Sequence, residues 1–393
     1  MSEFKSPNFR NEDGSAAPDI VGVTTFASPY YFVPPSGTTA ERPSGDGLAP
    51  GMLRFNTDIG RLEVWRGDHW ATILGESPNL GNQNAAAGSS AAGTGARGVF
   101  AGGYVPGGTG NRTTIDYITI STLGNAIDFG AGLTSARRGF DGCGSATRGV
   151  MSGGNGVNDG GSTRVQDFIT YASTGTCTSF GTLDFGRESG SCCSSSTRGF
   201  HCGSGNNPAP FTNVMNYFTI ATTGSSNDFG DLTFTSQSTS SLSSPVRGIF
   251  NGLGPSPGAV KNNIDYWTIS TTGNATSFGE LSGDNASISA AGGNATRGIF
   301  SGIITPSGTN TIQFITIAST GNAQDFGDLD QVYTNANAVS SPTRYVIGAG
   351  NTPNPNNSMS YVTIATTGNG INFGDLTEGR FSPAACSNAH GGL

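Results

Sequence analysis

The sequence predicts an all-β protein whose main part is a six-bladed β-propeller. Its 393 residues include 62 Gly, and only 12% are charged. Glycine at this density disfavours long helices, because each interior Gly costs about 1 kcal/mol relative to Ala. Short strands joined by turns use glycine readily. An internal repeat of about 50 residues, in which each copy reads as four strands, supports the same fold.

Three landmarks define the repeat, and each occurs six times. The first is an arginine, at spacings of 51, 50, 49, 50 and 47 residues; the second is an aromatic residue before a β-branched run; the third is a Phe 12 residues after that aromatic. The arginines are Arg97, Arg148, Arg198, Arg247, Arg297 and Arg344. The aromatic residues are Tyr117, Phe168, Tyr217, Tyr266, Phe314 and Tyr361, and the paired phenylalanines are Phe129, Phe180, Phe229, Phe278, Phe326 and Phe373. These fixed offsets predict six equivalent units.

Each unit reads as four short strands. The first is small and apolar, the second contains the arginine, and the third has the alternating, β-branched pattern of Ile115 to Ser121. A turn of constant length, with a Gly seven residues after the aromatic, joins it to the fourth strand, which contains the Phe. Four strands in a unit of this length are typical of a propeller blade of the kelch size class.

The last residues predict how the ring closes. Ala385-Cys386 aligns without gaps to Gly142-Cys143, so the chain begins a seventh unit and stops. Residues 82–95 occupy the same first-strand position before the first arginine. A strand exchange between the two ends would remove exposed sheet edges, and we expect such closure. An incomplete extra blade and an open solenoid are the alternatives.

The region before the repeats has a different pattern. We divide the chain into an N-terminal arm (1–29), a β-hairpin module with its linker (30–80) and the propeller (81–393). Residues 51–70 read as two strands joined by a turn at 56–60. Isolated hairpins are marginal in water, so this module is expected to pack on the propeller or on copies of itself. Arg54, Phe55, Trp65 and Trp70 are its predicted attachment or oligomerisation residues.

Composition excludes several classes of partner. The net charge is −8 and only two lysines are present, so no basic stripe exists to bind nucleic acid. No apolar run is long enough to span a membrane, and the first residues lack the apolar core of a signal peptide. The six cysteines form no CxxC pair, so we predict no metal and no cofactor. Buried, small apolar roles suit these thiols better.

Two motifs resemble those of phage structural proteins. Residues 33–43 and 51–70, with Gly51-Met-Leu-Arg-Phe-Asn-Thr-Asp, resemble the β-hairpin module found in tail-fibre and other appendage proteins of tailed bacteriophages. The repeat Thr-Arg-Gly-Val-Phe-x-Gly-Gly … Ile-Asp-Tyr-Ile-Thr-Ile is similar to kelch-like repeats of phage proteins, notably those of cyanophages. Trp, common in kelch fourth strands, is Phe here.

The resemblance implies a virion component, and most such proteins are displayed outward. Because the first residues lack a signal peptide, we expect the chain to be made in the host cytoplasm. We therefore expect a non-enzymatic tail fibre or tail-tip adaptor that attaches to a host-surface glycan or protein, joins other virion proteins through its N-terminal region and forms homo-oligomers. A capsid or neck decoration protein that binds only virion partners is one alternative. A lectin-like or glycan-cleaving propeller is another.

The six arginines and the second-to-third-strand loops are the candidate sites. The arginines could form an anion-binding ring, but bonds to backbone carbonyls or to a neighbouring unit are the favoured interpretation. The loops vary: the arginine-to-aromatic distance falls from 20 residues in the first two units to 17 in the last two. Variable loops on a constant scaffold carry binding, although unconstrained drift explains them equally well. The predicted contact residues are Tyr104, Asn158, Asp159, Phe211, Lys261 and Asn262.

Overall fold

The computed structural model describes residues 34–45, 47–72, 96–107, 110–156, 161–205, 211–253, 262–282, 288–303, 308–351 and 354–393. The chain divides into two compact units, Met1–Pro78 and Asn79–Leu393. Every regular element among the described residues is a β-strand or β-bridge, so the predicted all-β class is confirmed.

The first unit contains one four-stranded sheet, here called the N-terminal sheet. Its strands, in spatial order, are Ser36–Gly37, Leu53–Asn56, Arg61–Trp65 and Trp70–Thr72. The two strands predicted between residues 51 and 70 are present as an antiparallel pair, with the turn at residues 57–60. The sequence pattern did not identify the parallel strand Ser36–Gly37 or the antiparallel strand Trp70–Thr72, because both are too short to show alternation.

The second unit contains the six repeats, each folded as four antiparallel strands; they are numbered here as sheets 1 to 6. Sheet 1 consists of Ala384–Ser387, Arg97–Ala101, Thr114–Thr119 and Ile127–Gly132, and sheet 2 of Asp141–Gly144, Arg148–Ser152, Val165–Thr170 and Cys177–Thr182. Sheet 3 consists of Ser191–Ser194, Arg198–Ser204, Thr212–Thr219 and the first part of Asn227–Ser243; the rest of that strand begins sheet 4, with Arg247–Leu253, Asn263–Thr268 and Thr276–Glu280. Sheet 5 consists of Ile288–Gly293, Arg297–Ile303, Thr309–Thr316 and Gln324–Asp328, and sheet 6 of Asn337–Ser340, Arg344–Gly348, Ser358–Thr363 and Ile371–Asp375.

One junction differs from the prediction of separate units. The 17-residue strand Asn227–Ser243 pairs with Thr212–Thr219 along its first part and with Arg247–Leu253 along its second, so sheets 3 and 4 are continuous. Residues 233–241 contain only Thr, Phe, Ser and Gln, without the Gly or Pro that would end a strand.

All six sheets share one register. The second residue after the landmark arginine lies opposite the landmark aromatic in every sheet, as in the pairs Val99↔Tyr117 and Val346↔Tyr361. In the first strands, Cys143, Cys193 and Cys386 occupy the same position, opposite Val150, Phe200 and Val99. The alignment of Ala385-Cys386 with Gly142-Cys143 is therefore correct, and Cys193 shares the same position.

The first strands of the six sheets lie beside one another in cyclic order. Asp141–Gly144 lies next to Ser191–Ser194, and the contacts continue through sheets 4 and 5 to Asn337–Ser340 of sheet 6. Asn337–Ser340 in turn lies next to Ala384–Ser387, which lies next to Asp141–Gly144. Ala384–Ser387 pairs with Arg97–Ala101, so residues from both ends of this unit form sheet 1. Buried aliphatic and aromatic side chains fill the spaces between neighbouring sheets.

The Phe-Gly pair of each repeat forms the outer contact between sheets. The N–H of the turn glycine in one sheet donates to the carbonyl of the landmark Phe in the preceding sheet, at 2.8–3.0 Å in all six junctions. In five of the six junctions, a Cβ on the glycine after that Phe would approach the backbone of the neighbouring turn to 2.6 Å or less. Only glycine therefore permits this close approach.

Candidate functional site

The six landmark arginines bond the backbone of the neighbouring sheet. Each guanidinium lies over the landmark aromatic ring of its own sheet, at 4.4–5.1 Å from the ring centroid. Each also donates to a main-chain carbonyl of the next sheet: Arg97 to Tyr171, Arg148 to Ala221 (2.7 Å), Arg198 to Ile269 (2.9 Å), Arg247 to Ile317 (2.8 Å), Arg297 to Ile364 (2.7 Å) and Arg344 to Ile120 (3.0 Å). These contacts are the ones that the structural interpretation of the arginines expects.

The variable loops meet the connections between sheets at one end of the unit. The N–H of Tyr104, in the second-to-third-strand loop of sheet 1, donates to the carbonyl of Phe381 at 2.9 Å. Asn155 pairs with Arg138, and Glu188 pairs with Gly205. Antiparallel strands place the turns of constant length at the opposite end. The end that carries the variable loops is called the loop end below.

A polar cavity of about 80 Å³ opens among the connections at the loop end. Its wall consists mainly of serine, asparagine and glycine residues that precede or begin the first strands. The connections bond one another around it: Gly139 N–H donates to Ser382 O (3.0 Å), Ser189 N–H to Gly139 O (2.7 Å) and Ser382 N–H to Asn335 O (2.7 Å). This cavity is called the axial cavity below.

The same backbone position is left-handed in five connections around the axial cavity. Asp141 begins the first strand of sheet 2, and each other sheet has an equivalent residue. In all five connections, the residue two positions before Asp141 or its equivalent has a φ between 48° and 61°. The five residues are Gly139, Ser189, Ser238, Asn335 and Ser382. Non-glycine residues in this region carry strain of about 1–3 kcal/mol, and such strain concentrates at functional sites. The sequence signal for this position is a small residue at a constant offset, which the three landmarks of the repeat do not include.

Asp141 is the carboxylate on the wall of the axial cavity. It accepts bonds from the N–H groups of Gly142 and Cys192 and from the Asn337 amide, each at 2.8 Å. The backbone of Ala385 bonds it as well. Desolvation outweighs these donors and raises the pKa of Asp141 to about 6. With donors from sheets 1, 2, 3 and 6, this carboxylate joins four of the six inner strands.

Among the described residues, the buried Ser240 hydroxyl of the cavity wall has no hydrogen-bond partner, and Ser240 is 4% exposed. Buried hydroxyls are normally satisfied by protein or by water. The cavity therefore offers hydroxyl and amide groups to a small polar molecule or to the polar tip of a larger one.

A second cavity, of about 50 Å³, lies further along the first strands. Cys143, Cys192, Cys193 and Cys386 line it together with His390. The Nε2 atom of His390 lies 2.8 Å from the Gly144 carbonyl oxygen, in sheet 2. The C-terminal residues therefore pack against the first strands beside this second cavity.

Cys192 and His201 form a buried pair that the sequence did not suggest. The Sγ–Nδ1 distance is 3.4 Å, which resembles the geometry of a thiol nucleophile and its base. Burial raises the pKa of Cys192 well above its usual range and lowers the pKa of His201 well below its own. Both groups are therefore neutral, and the arrangement is a packing contact without an activated thiolate.

The predicted contact residues fall partly within the described chain. Tyr104 lies at the loop end, with the Arg138 guanidinium 4.4 Å from its ring centroid and Phe381 packed edge-on at 5.4 Å. Phe211 and Asn262 are half-buried and immediately precede the third strands Thr212–Thr219 and Asn263–Thr268. The other three predicted residues, Asn158, Asp159 and Lys261, lie outside the described residues.

The predicted attachment residues of the N-terminal sheet have unlike environments. Arg54 is buried and donates to Glu63 at 3.2 Å, whereas Phe55 is half-buried on the opposite face. The rings of Trp65 and Trp70 pack at 5.6 Å, and Trp70 donates its indole N–H to the Pro43 carbonyl at 3.0 Å.

Comparison with known proteins gives no family. No family model matches the chain, and no curated protein matches it. Within the described ranges, no group of three or more His, Cys, Asp or Glu side chains is placed to hold a metal ion. The described part of the chain also contains no helix with the length and apolar character needed to cross a membrane.

Proposed function

We propose that the Asn79–Leu393 unit is a six-bladed β-propeller, closed by the strand Ala384–Ser387, and that its loop end is the binding face of a non-enzymatic virion protein. The phage resemblance of both motifs supports a tail fibre or tail-tip adaptor that attaches to a host-surface glycan or protein. The N-terminal region then joins other virion proteins or copies of the same chain.

Ring closure is supported by three cyclic sets of contacts. The inner strands follow one another from sheet 1 to sheet 6 and back. Gly124 in sheet 1 donates to the Phe373 carbonyl in sheet 6 at 3.0 Å, and Arg344 in sheet 6 donates to the Ile120 carbonyl in sheet 1 at 3.0 Å. The glycine bond and the arginine bond each occur six times. Five bonds of each kind join consecutive sheets, and the sixth joins sheet 6 to sheet 1, as a closed propeller requires.

One observation carries the binding role. The described ends of the loops that vary in length contact the connections between sheets at one end of the unit, and those connections line a polar cavity with strained backbone, while the turns of constant length make the bonds between sheets. Function on a repeat scaffold usually resides in loops that are free of structural duty. Asp141 is engaged by four donors, so we assign the cavity a recognition role without acid–base chemistry.

A loop-replacement experiment tests the binding role. Residues 105–111, 157–160, 206–210 and 254–261 are replaced together by Gly-Ser runs of the same length in the full chain. Native and variant proteins are compared on an array of bacterial surface polysaccharides and on intact bacterial cells, with thermal melting as the folding control. We expect at least tenfold weaker binding with little change in melting temperature.

Two results would contradict the proposal. If the variant bound as strongly as the native chain, the loops would not carry recognition. If the native chain bound no polysaccharide and no cells but captured purified virion proteins, the capsid or neck role would replace the attachment role.

A further inference from the structure

The N-terminal sheet buries its polar face. Alternation along Leu53–Asn56 and Arg61–Trp65 places Arg54, Asn56 and Glu63 on one side. These three side chains are 5%, 0% and 0% exposed. An ordinary two-sided sheet would turn its apolar side chains inward instead.

An ion-pair network fills this polar face. Glu63 accepts from Arg54 at 3.2 Å and from the Asn56 amide at 3.1 Å, and it also pairs with Arg42. The bond from Arg42 is the main cause that lowers the pKa of the Glu63 carboxyl. Arg54 also donates to the Thr38 carbonyl at 2.9 Å, so residues 38–42 cover this side of the sheet.

The opposite face is apolar and open. It consists of Leu53, Phe55, Leu62, Val64 and Ala71, which the strand register places side by side; this set is called the apolar face below. Leu53 is 47% exposed and Leu62 is 38% exposed, while the other three are half-buried. No charged residue belongs to it.

The neighbouring turns extend this surface. Met52 is 41% exposed and Ile59 is 44% exposed. Four of the eight large exposed hydrophobic residues in the described chain therefore lie in one stretch of eleven residues, from Met52 to Leu62. Clusters of this kind mark interaction surfaces, whereas single exposed apolar residues do not.

This unit lacks an apolar core of its own among its described residues. Every apolar side chain that is buried in the described chain belongs to the second unit, from Val99 onward. A sheet of this size needs a covered apolar face to be stable on its own. The apolar face is the surface that such cover would use.

We propose that the apolar face packs against the same face of a second copy of this chain. An uncharged surface is complementary to itself. Two copies with a net charge of −8 each can therefore meet at this face without placing like charges against each other. A polar glycan or a strongly charged partner would leave Leu53 and Leu62 in water. This inference specifies the homo-oligomer part of the proposed function and is independent of the loop-end role.

Charge substitution on the apolar face tests the proposal in the full chain. Leu53→Lys and Leu62→Lys are compared with Leu123→Lys, a control at a residue 55% exposed in the second unit. Light scattering at a series of protein concentrations gives the mass. We expect the native chain and the control at a multiple of 39.9 kDa, and both face variants at 39.9 kDa.

Cross-linking keeps the test independent of folding losses. In a Cys177→Ser background, because Cys177 is the one cysteine that is not fully buried, L62C and L123C are treated with a short bis-maleimide. A covalent dimer is expected for L62C and not for L123C. A native chain of 39.9 kDa at every concentration, or equal cross-linking of the two variants, would overturn the proposal. That outcome would assign the face to residues 1–33 or to a different protein, and it would leave the loop-replacement result unaffected.

Discussion

The N–H of Gly124, in the first repeat, donates a hydrogen bond to the carbonyl of Phe373, in the sixth, at 3.0 Å. The same bond joins each earlier repeat to the next one, so the contact at the two ends of the series is no different from those within it. A constant Phe-Gly pair and a constant turn length follow directly from this geometry, since a longer turn or a larger residue would move the donor away from its carbonyl.

Gly181 and Gly224 provide a matched test of this contact. A Cβ on Gly181 would lie 2.1 Å from the Gly224 carbonyl oxygen, whereas a Cβ on Gly224 would meet nothing within 4 Å. Gly181→Ala should destabilise the fold by about 1–3 kcal/mol. Gly224→Ala should be neutral or slightly stabilising. Urea unfolding of both variants measures the difference; equal effects would show that the turn does not pack as described.

The buried carboxylates at one repeat position should respond in opposite directions to amide substitution. Asp167 bonds the fully buried Arg137 at 2.8 Å, so Asp167→Asn leaves an unpaired guanidinium and should cost about 3–5 kcal/mol. Among the described residues, Asp265 accepts hydrogen bonds only from the backbone N–H and the hydroxyl of Thr233, and burial raises the pKa of Asp265. At neutral pH its charged form opposes folding, and Asp265→Asn should therefore be neutral or stabilising by about 1 kcal/mol.

Chemical unfolding at pH 7 compares the Asp167→Asn and Asp265→Asn variants. An Asn is tolerated at the same position in sheet 3, because Arg187 bonds Asn216 there and pairs with the Asp184 carboxylate at 3.4 Å. No such second carboxylate is paired with Arg137 among the described residues. A stable Asp167→Asn variant would contradict the assignment of that pair.

Asp141 predicts a pH dependence of stability. Its folded pKa of about 6 lies above its ordinary value of 3.8, so the folded chain binds a proton more readily than the unfolded chain. The resulting stabilisation is complete below pH 4 and is lost as the pH rises through 6. Relative to Asp141→Asn, the native chain should lose about 2–3 kcal/mol between pH 4 and pH 7. Parallel curves across this range would show that Asp141 does not titrate there.

The C-terminal strand should be required to complete sheet 1. Removing residues 384–393 exposes the edge of Arg97–Ala101, so we expect a lower melting temperature and aggregation. A peptide of residues 384–393 added in trans should restore solubility, and a peptide with the same composition in scrambled order should not. If truncation had no effect, another segment would occupy the first-strand position.

Fixed spacings made the repeat predictable. The side-chain contacts between different sheets could not be predicted in the same way. The offsets between Tyr117, Gly124 and Phe129 recur in every copy, so strand number and register could be inferred from them. The neighbours of Asp141 come from four sheets and depend on which sheets lie beside one another, which no local pattern encodes. Cys192 and His201 become neighbours only through strand pairing.

The N-terminal sheet shows a second limit of sequence patterns. Alternation correctly separates Leu53 and Phe55 from Arg54 and Asn56, but it does not say which face is covered within one chain. Hydrophobicity alone would assign the apolar side to the interior. The Arg54–Glu63 pair reverses that assignment because each charge has a buried partner.

The most direct test compares the two ends of the second unit in one binding measurement. Tyr104→Ala with Arg138→Ala changes the loop end, and Leu123→Lys changes a turn at the opposite end; each protein is titrated on the polysaccharide or cells that the native chain binds. The proposed binding role of the loop end predicts at least tenfold weaker binding for the loop-end variant and native binding for the Leu123→Lys variant. Loss of binding in the Leu123→Lys variant, with the loop-end variant unaffected, would contradict it.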